Sequence, residues 1–276
     1  MDGTNSFSGK TVPAAVVSGN VELRQTPAAR CGIAIMAKAS APGRTKTRLV
    51  PPLTYEQAAA LNTAFLQDIA DNLIEAGGHA GIAGYAAYGP PGAEAFFSAT
   101  LPPAIGLIDA WLPNFGDCLL RAIEQLFACG HSAAVVLNSD SPTLPTALLV
   151  ETAAVLAQPG ERAVLGPSTD GGYYLLGLKS VHRCLFEDIA WSTGAVAAQT
   201  LERAKESGLD VHVLPAWYDI DDIEDLRRLN TELKGSDSLA PQRTAHRPHY
   251  PRRTAALMRS LGFDEALQVE TERGAA

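Results

Sequence analysis

An α/β fold, with a mostly parallel central sheet covered by helices on both faces, is predicted by three features of this chain. Short apolar, strand-like runs alternate with amphipathic stretches of helical length through its middle. Polar and glycine-rich segments fall at the ends of the strand-like runs, where turns and loops belong. Of 276 residues, 46% are hydrophobic and 19% charged, enough for one large or two small domains with a real core.

Taken in order, Ile33 to Ala37 reads as a first buried strand and Tyr55 to Glu75 as an amphipathic helix. Gly81 to Tyr88 and Ile105 to Trp111 are strand-like. Asp117 to Phe127 is helical, Ala133 to Asn138 a buried strand, and Leu144 to Leu156 helical again. Ala163 to Pro167 and Tyr173 to Leu178 are strands flanking a turn. Ala195 to Glu206 is a helix, Val211 to Leu214 a strand and Ile223 to Leu233 a last helix. No internal repeat interrupts this order.

The ends differ from the middle. Residues 1–30, rich in Gly, Ser, Thr, Pro and Ala without a period, read as a flexible leader, residues 31–234 as the folded domain, and residues 235–276 as a basic tail. Between Ala240 and Ser260 the tail holds Arg243, Arg247, Arg252, Arg253, Arg259, His246 and His249 with no acid, while Pro248 and Pro251 interrupt any helix. A solvated tail is expected, with a contact arm for an acidic partner or RNA as the alternative. Ala255 to Leu267 is the place for a short terminal helix.

Net charge of −8 argues against bulk attraction to nucleic acid or an anionic membrane, so an anion site must be a local basic pocket. The 4 cysteines (Cys31, Cys118, Cys129, Cys184) form no C-x-x-C or His/Cys cluster, which argues against zinc and a disulfide framework. No signal-like or membrane-spanning run is present, and a cytoplasmic protein is expected.

Four constellations fall at strand ends. The first strand opens into a loop with Lys38, Arg44, Lys46 and Arg48, cations at the carboxyl edge where open α/β sheets bind ligands. Thr45 precedes Lys46, so this is no Walker loop, and Gly-x-Gly-x-x-Gly is missing too. Such a loop either grips a polyphosphate through side-chain charge or is simply solvated. The second constellation is Asp140, delivered by the strand from Ala133 with Ser139 and Ser141 beside it; either it is a ligand for Mg²⁺ or it caps the following helix.

In the third, Asp170, Gly171 and Gly172 make a turn before Tyr173 and Tyr174; it is a plain hairpin or a place for close ligand approach, the reading favoured by Ser168 and Thr169. In the fourth, Asp219, Asp221 and Asp222 precede a helix. That is more negative charge than one cap requires, so Asp221, joined by Asp219, is read as a second source of metal carboxylates, while capping accounts for Asp222 and Glu224. Trp191 either packs in the core or walls a sugar or base, and Ser192 or Thr193 suits a helix cap.

The ordered set AKASAPGRTKTRL, NFGDCLLRA, NSDSPTLP, GPSTDGGYYLLGL, WST and DIDDIEDL resembles the nucleotide-diphospho-sugar transferase superfamily over about Ile33 to Leu233. Within it the chain looks most like the bacterial radical-SAM/selenodomain-associated transferases, a group of uncharacterised glycosyltransferases. It is more distantly similar to phospholactate and molybdenum cofactor guanylyltransferases. The resemblance implies a single GT-A-like (Rossmann-like) domain. It further implies that Lys38, Arg44, Lys46, Arg48 and Ser139 contact a nucleotide, that Asp140 and Asp221, with Asp219, hold Mg²⁺ or Mn²⁺, and that Asp170, Gly171, Gly172, Tyr173, Trp191, Ser192 and Thr193 face the donor or acceptor group.

Two departures matter. Ala39, Ser40, Ala41 and Pro42, with only Gly43, replace the Gly-rich opening loop of the molybdenum enzymes, and Gly172, Tyr173 and Tyr174 replace the Gly-Thr-Asn element of the phospholactate enzymes. The implied activity is a Mg²⁺-dependent transferase, glycosyl or nucleotidyl, acting on a small-molecule acceptor, with Lys46, Asp140 and Asp221 as the catalytic set. General-base work would fall to Asp170 or the Asp219 to Asp222 cluster. The alternative is a nucleotide-sensing module that keeps the fold without turnover. A homodimer is left open.

Overall fold

A computed structural model describes residues 30–235 and 246–262. Among them one sheet runs in the order β3-β2-β1-β4-β6-β5-β7, built from β1 (Cys31–Lys38), β2 (Ile82–Gly89), β3 (Gly106–Asp109), β4 (Ala133–Leu137), β5 (Ala163–Pro167), β6 (Tyr173–Leu178) and β7 (Val211–Val213). Its helices are α1 (Tyr55–His79), α2 (Glu94–Thr100), α3 (Phe115–Ala128), α4 (Thr146–Leu156), α5 (Val196–Glu206), α6 (Ile223–Gly235) and α7 (Arg252–Ser260).

The pairing follows from connection length. Each strand from β1 to β4 is joined to the next through a helix and pairs in parallel, as a crossover demands. The short Ser168–Gly172 link between β5 and β6 permits only a hairpin, so β6 is antiparallel to both β5 and β4. β7 returns parallel to β5 after α5. β1 and β4 are buried on both faces, which is why they read as unbroken apolar runs rather than alternating ones. Ile33, Ile35, Val135 and Leu137 pack with Leu61, Phe65 and Leu73 of α1 and Leu148 of α4. On the opposite face Ala34, Ala134 and Val136 meet Leu119, Ile123 and Leu126 of α3. The predicted two-sided architecture is therefore present.

Several boundaries differ from the sequence reading for local reasons. α1 starts at a capping box, Thr54 with Gln57, and runs on to His79. α2 has only 7 residues, too few for a periodic signal. α4 begins at Thr146 rather than Leu144 because Pro145, without an N–H to donate, stands at its entry.

The larger correction concerns the C-terminal segment. Its terminal helix lies at Arg252–Ser260 rather than Ala255 to Leu267, with Pro251 introducing it instead of breaking it. Thr254, Ala255 and Met258 are buried, and the Asp68 carboxylate on α1 accepts the backbone N–H groups of Arg253 at 2.9 Å and Thr254 at 2.8 Å. Arg253 also pairs with Asp71. Where it is described, this segment is docked rather than solvated: its missing acids are supplied by α1. Residues 1–29 of the leader, Arg243 and residues 263–267 of the expected terminal helix lie outside the described residues.

Candidate active site

The site is assembled at the carboxyl edges of β1 and β4, where the chain leaves the sheet. After β4 the backbone N–H of Asn138 still donates to Tyr174 O at 2.8 Å, and its side-chain amide donates to Ser141 at 2.9 Å, so the turn carrying Asp140 is held from both sides. Asp140 does not cap α4, whose N-cap is Pro145 with no side-chain hydrogen bond.

The segment from Trp217 to Asp221 threads beside this turn. Trp217 N–H donates to Pro167 O at 3.1 Å and Ile220 N–H to Asp140 O at 2.9 Å, while Trp217 O accepts from Thr169 N–H at 3.0 Å. Extended backbone alternates its side chains. Tyr218 and Ile220 enter the core, and Asp219 and Asp221 are left facing the cavity with Asp140. Ligand oxygens of Asp140, Asp219 and Asp221 lie within 4.8 Å of one another. Asp222 is different: it accepts from Glu224 and Asp225 N–H groups as a helix cap, and Asp225 answers by accepting from Asp221 and Asp222.

Lys46 enters this acidic group from the loop after β1. Its backbone is left-handed, with φ 50 and ψ 41, a conformation costly for a residue with a Cβ. Thr45 secures the turn by bonding both the N–H and the C=O of Ala41. From there the Lys46 ammonium donates to Asp140 Oδ2 at 2.7 Å and Asp221 Oδ1 at 2.9 Å. Burial alone would lower the pKa of Lys46, but the Asp140 and Asp221 carboxylates outweigh it and hold the ammonium above the usual lysine range. Asp219 is pushed up to about 7, first by burial and then by the charges of Asp140, Asp170 and Asp221. One ammonium thus leaves the cluster with uncompensated negative charge.

Around it lies a cavity of about 650 Å³. Lys38, Arg44, Lys46, Arg48, Ser139, Asp140, Asp170, Gly172, Tyr173, Trp191, Ser192, Thr193, Asp219 and Asp221, all singled out from sequence, line it. Arg44 and Arg48 are exposed, and among the described residues no hydrogen bond or ion pair engages their side chains. Gly171 is the exception. Its carbonyl accepts from Ala197 N–H at 2.9 Å, and it turns away from the cavity. It is needed for the turn itself: φ is +92, and a Cβ would lie 2.1 Å from Gly194 O.

Neither Ser192 nor Thr193 is the N-cap of α5, a position held by Ala195. Thr193 instead braces the preceding loop, donating to Ala190 O at 2.7 Å. Trp191 stands at the cavity wall, edge to face with Phe115 at 5.5 Å and with Tyr173 at 6.4 Å. It fits there because Gly116 has no side chain; a Cβ at 116 would meet Trp191 Nε1 at 2.7 Å. Lys38 Nζ sits 5.4 Å from the ring centre of Trp111, which lines the same cavity.

Trp111, Phe115 and Asn138 were not singled out as site residues from sequence, although Phe115 and Asn138 lie within the motifs that carry the resemblance. The usable signal for the first two was an aromatic residue at a strand exit and at a helix start.

The family profile described as "Uncharacterized protein conserved in bacteria (DUF2064)" matches residues 72–193. No curated protein matches the chain. The structure is similar to that of a candidate nucleotide-diphospho-sugar transferase from Desulfovibrio desulfuricans G20, with 28% identity over 87% of this chain and 97% of that one, at a TM-score of 0.71. It is more remotely similar to 4-diphosphocytidyl-2C-methyl-D-erythritol synthase from Anaerococcus prevotii DSM 20548, with 13% identity over 75% of this chain and 99% of that one, at a TM-score of 0.47. The fold is that of the nucleotide-diphospho-sugar transferase superfamily.

Proposed function

We propose that this chain is a divalent-cation-dependent transferase that uses an activated nucleotide, an NDP-sugar or an NTP, and a small-molecule acceptor. The observation that carries the reading is the clustering of Asp140, Asp219 and Asp221 around Lys46. Beside it the unengaged cations Arg44 and Arg48 line the same cavity. The similarity to the Desulfovibrio protein over nearly its whole length supports the same class. On this reading residues 31–234 are the catalytic unit, with 235–276 an appended basic segment. The finer placement among the bacterial radical-SAM/selenodomain-associated transferases rests on the ordered motifs.

Asp140, Asp219 and Asp221 would hold Mg²⁺ or Mn²⁺. They fit it because hard divalent cations take carboxylate oxygens, and the cluster has more negative charge than Lys46 neutralises. When bound, such a cation screens the charge that develops on the leaving phosphate. Lys46, fixed by its two carboxylates, supplies a positioned donor at the same place. Arg44, Arg48 and Lys38 draw the phosphates against the β1 loop, and Ser139 adds a hydroxyl contact. Two bond changes suit this arrangement. An acceptor oxygen forms a bond to sugar C1 and a nucleoside diphosphate leaves, or it forms a bond to the α-phosphorus of an NTP and pyrophosphate leaves; in either case the acceptor proton goes to a nearby carboxylate or to solvent.

The competing reading, a nucleotide-binding module without turnover, draws on Lys46 itself, since an ammonium already seated among the acids reduces the need for a metal. Incubating the protein with the four NTPs and with UDP-, GDP- and ADP-sugars, with Mg²⁺ or Mn²⁺, separates them. Consumption of one donor with metal is expected, and product masses identify the bond cut. Thermal stabilisation by a nucleotide without metal, and no release of pyrophosphate or nucleoside diphosphate, would leave the binding module instead.

A further inference from the structure

We propose that the recess beside Trp191 is the acceptor subsite and that it takes a ring compound presenting a neutral hydroxyl in preference to an anionic acceptor. The proposal rests on the transferase reading of the cavity and names the substrate class that cavity would accept.

The walls suit a ring. Phe115 and Tyr173 both meet Trp191 edge to face, at 5.5 Å and 6.4 Å. That geometry leaves ring faces and edges to pack against an incoming ring. Leu119 and Val136 line the same side of the cavity and add apolar surface.

Two polar atoms there have no partner. Asn138 Oδ1 and Tyr173 Oη are buried without a hydrogen bond among the described residues. Both residues line the cavity. Asn138 follows Val136 by two residues along extended chain and shares its face of the sheet, the face against which Tyr173 packs. A buried carbonyl oxygen and a buried phenol left unpaired are costly, and a ligand hydroxyl relieves that cost by donating to Asn138 Oδ1 or accepting from Tyr173 Oη. Burial raises the Tyr173 phenol well above the ordinary tyrosine range, so it remains a donor at neutral pH.

Charge sets the preference among rings. The cations lining the cavity, Lys38, Arg44, Lys46 and Arg48, come from the end of β1 and the loop after it. The turn that leads into Tyr173 contributes Asp170 instead, whose charge also reaches Asp219. A phosphate or carboxylate bound beside that turn would meet the like charge of Asp170.

Ligand-observed saturation-transfer NMR on the full chain tests this, with benzyl alcohol, benzoate and phenyl phosphate as probes, and the melting shift with nucleotide and Mg²⁺ recorded on the same samples. Benzyl alcohol is expected to bind, with benzoate and phenyl phosphate weaker by about tenfold or more. Phe115 is half exposed, so Phe115→Ala keeps the fold while weakening benzyl alcohol about fivefold. Tyr173→Phe should weaken it by a similar factor, and Tyr250→Ala, at an exposed aromatic that does not line the cavity, should leave it unchanged. Nucleotide binding without any benzyl alcohol signal would overturn the subsite alone. So would anions binding as well as the alcohol, or loss of the alcohol in Tyr250→Ala but not in Phe115→Ala. Alcohol binding in a protein that ignores every nucleotide would leave the recess but overturn its role as an acceptor site.

Discussion

Ile220 donates its backbone N–H to the carbonyl oxygen of Asp140 at 2.9 Å. This bond joins the two distant loops that carry the acidic cluster, so the separation of Asp140 from Asp219 and Asp221 is set by main chain rather than by flexible side chains. The relation gives the carboxylates a fixed geometry, and substitutions there should act on chemistry more than on folding.

Asp140→Asn keeps the side-chain shape and leaves the backbone carbonyl that Ile220 uses. Turnover of the cognate nucleotide is expected to fall by about 100-fold or more, equivalent to ~3 kcal/mol of barrier, with an unchanged circular dichroism spectrum. A variant that retains full activity would remove Asp140 from the mechanism.

Lys46→Met removes the ammonium and leaves the carboxylates facing one another. Breaking a fully buried pair costs about 3–5 kcal/mol. Here the partner side chains are 22% and 45% exposed, which brings the expected loss down to about 1–2 kcal/mol. Millimolar Mg²⁺ should recover part of it by binding the folded state. Urea melts with and without Mg²⁺ check both halves; a deficit indifferent to Mg²⁺ would contradict the cation-binding role.

His249 gives the docked C-terminal segment a pH dependence. Burial lowers its pKa below the ordinary 6.5, against the attraction of Glu75, Asp68 and Asp71 and with help from Arg252. The unfolded chain therefore takes up this proton at a higher pH than the folded one. Stability is full above 6.5 and is lost as pH falls from there through the folded value. Asp68 opposes this at lower pH: burial raises its pKa against the hydrogen bonds of Thr254 and Arg253, so its share of stability falls as pH rises above 3.8. Thermal melts between about pH 5 and 7.5 should show a shallower slope in His249→Gln than in the parent; identical slopes would dissociate His249 from the effect.

Gly116→Ala tests the seat of Trp191. The new Cβ would fall 2.7 Å from Trp191 Nε1 and 2.9 Å from the backbone oxygen of Phe186, which has little freedom to retreat. Overpacking of this kind costs about 1–3 kcal/mol, partly offset by alanine's better helix propensity of ~1 kcal/mol. A lower melting temperature with altered tryptophan fluorescence is expected, and an unchanged melt would mean the indole is not held by Gly116.

Much of this was legible in the chain because local signals and tertiary context agree. β1 and β4 read as unbroken apolar runs since both faces are covered, and the basic loop and Asp140 declare themselves by following those strands directly. The excess of carboxylates before α6 pointed to Asp221 as a partner for Asp140, and the two do meet, both bonded to Lys46. What did not show was any relation fixed by residues far apart in number. The basic segment around Arg253 looks solvated until Asp68 and Asp71 are seen beside it, and α2 is too short to have a period. Gly171 looked like a contact residue, but its positive φ and its bond to Ala197 belong to the turn.

The bond between residues 140 and 220 has a consequence for how such proteins diversify. Everything between them, including the β5–β6 hairpin and α5, begins and ends at points fastened to each other. Insertions or deletions within that stretch can therefore remodel the rim of the cavity at small entropic cost, while the spacing of the acids stays the same. On the proposed transferase reading, variation in acceptor choice and constancy of the phosphate chemistry would then reside in separable pieces of polypeptide.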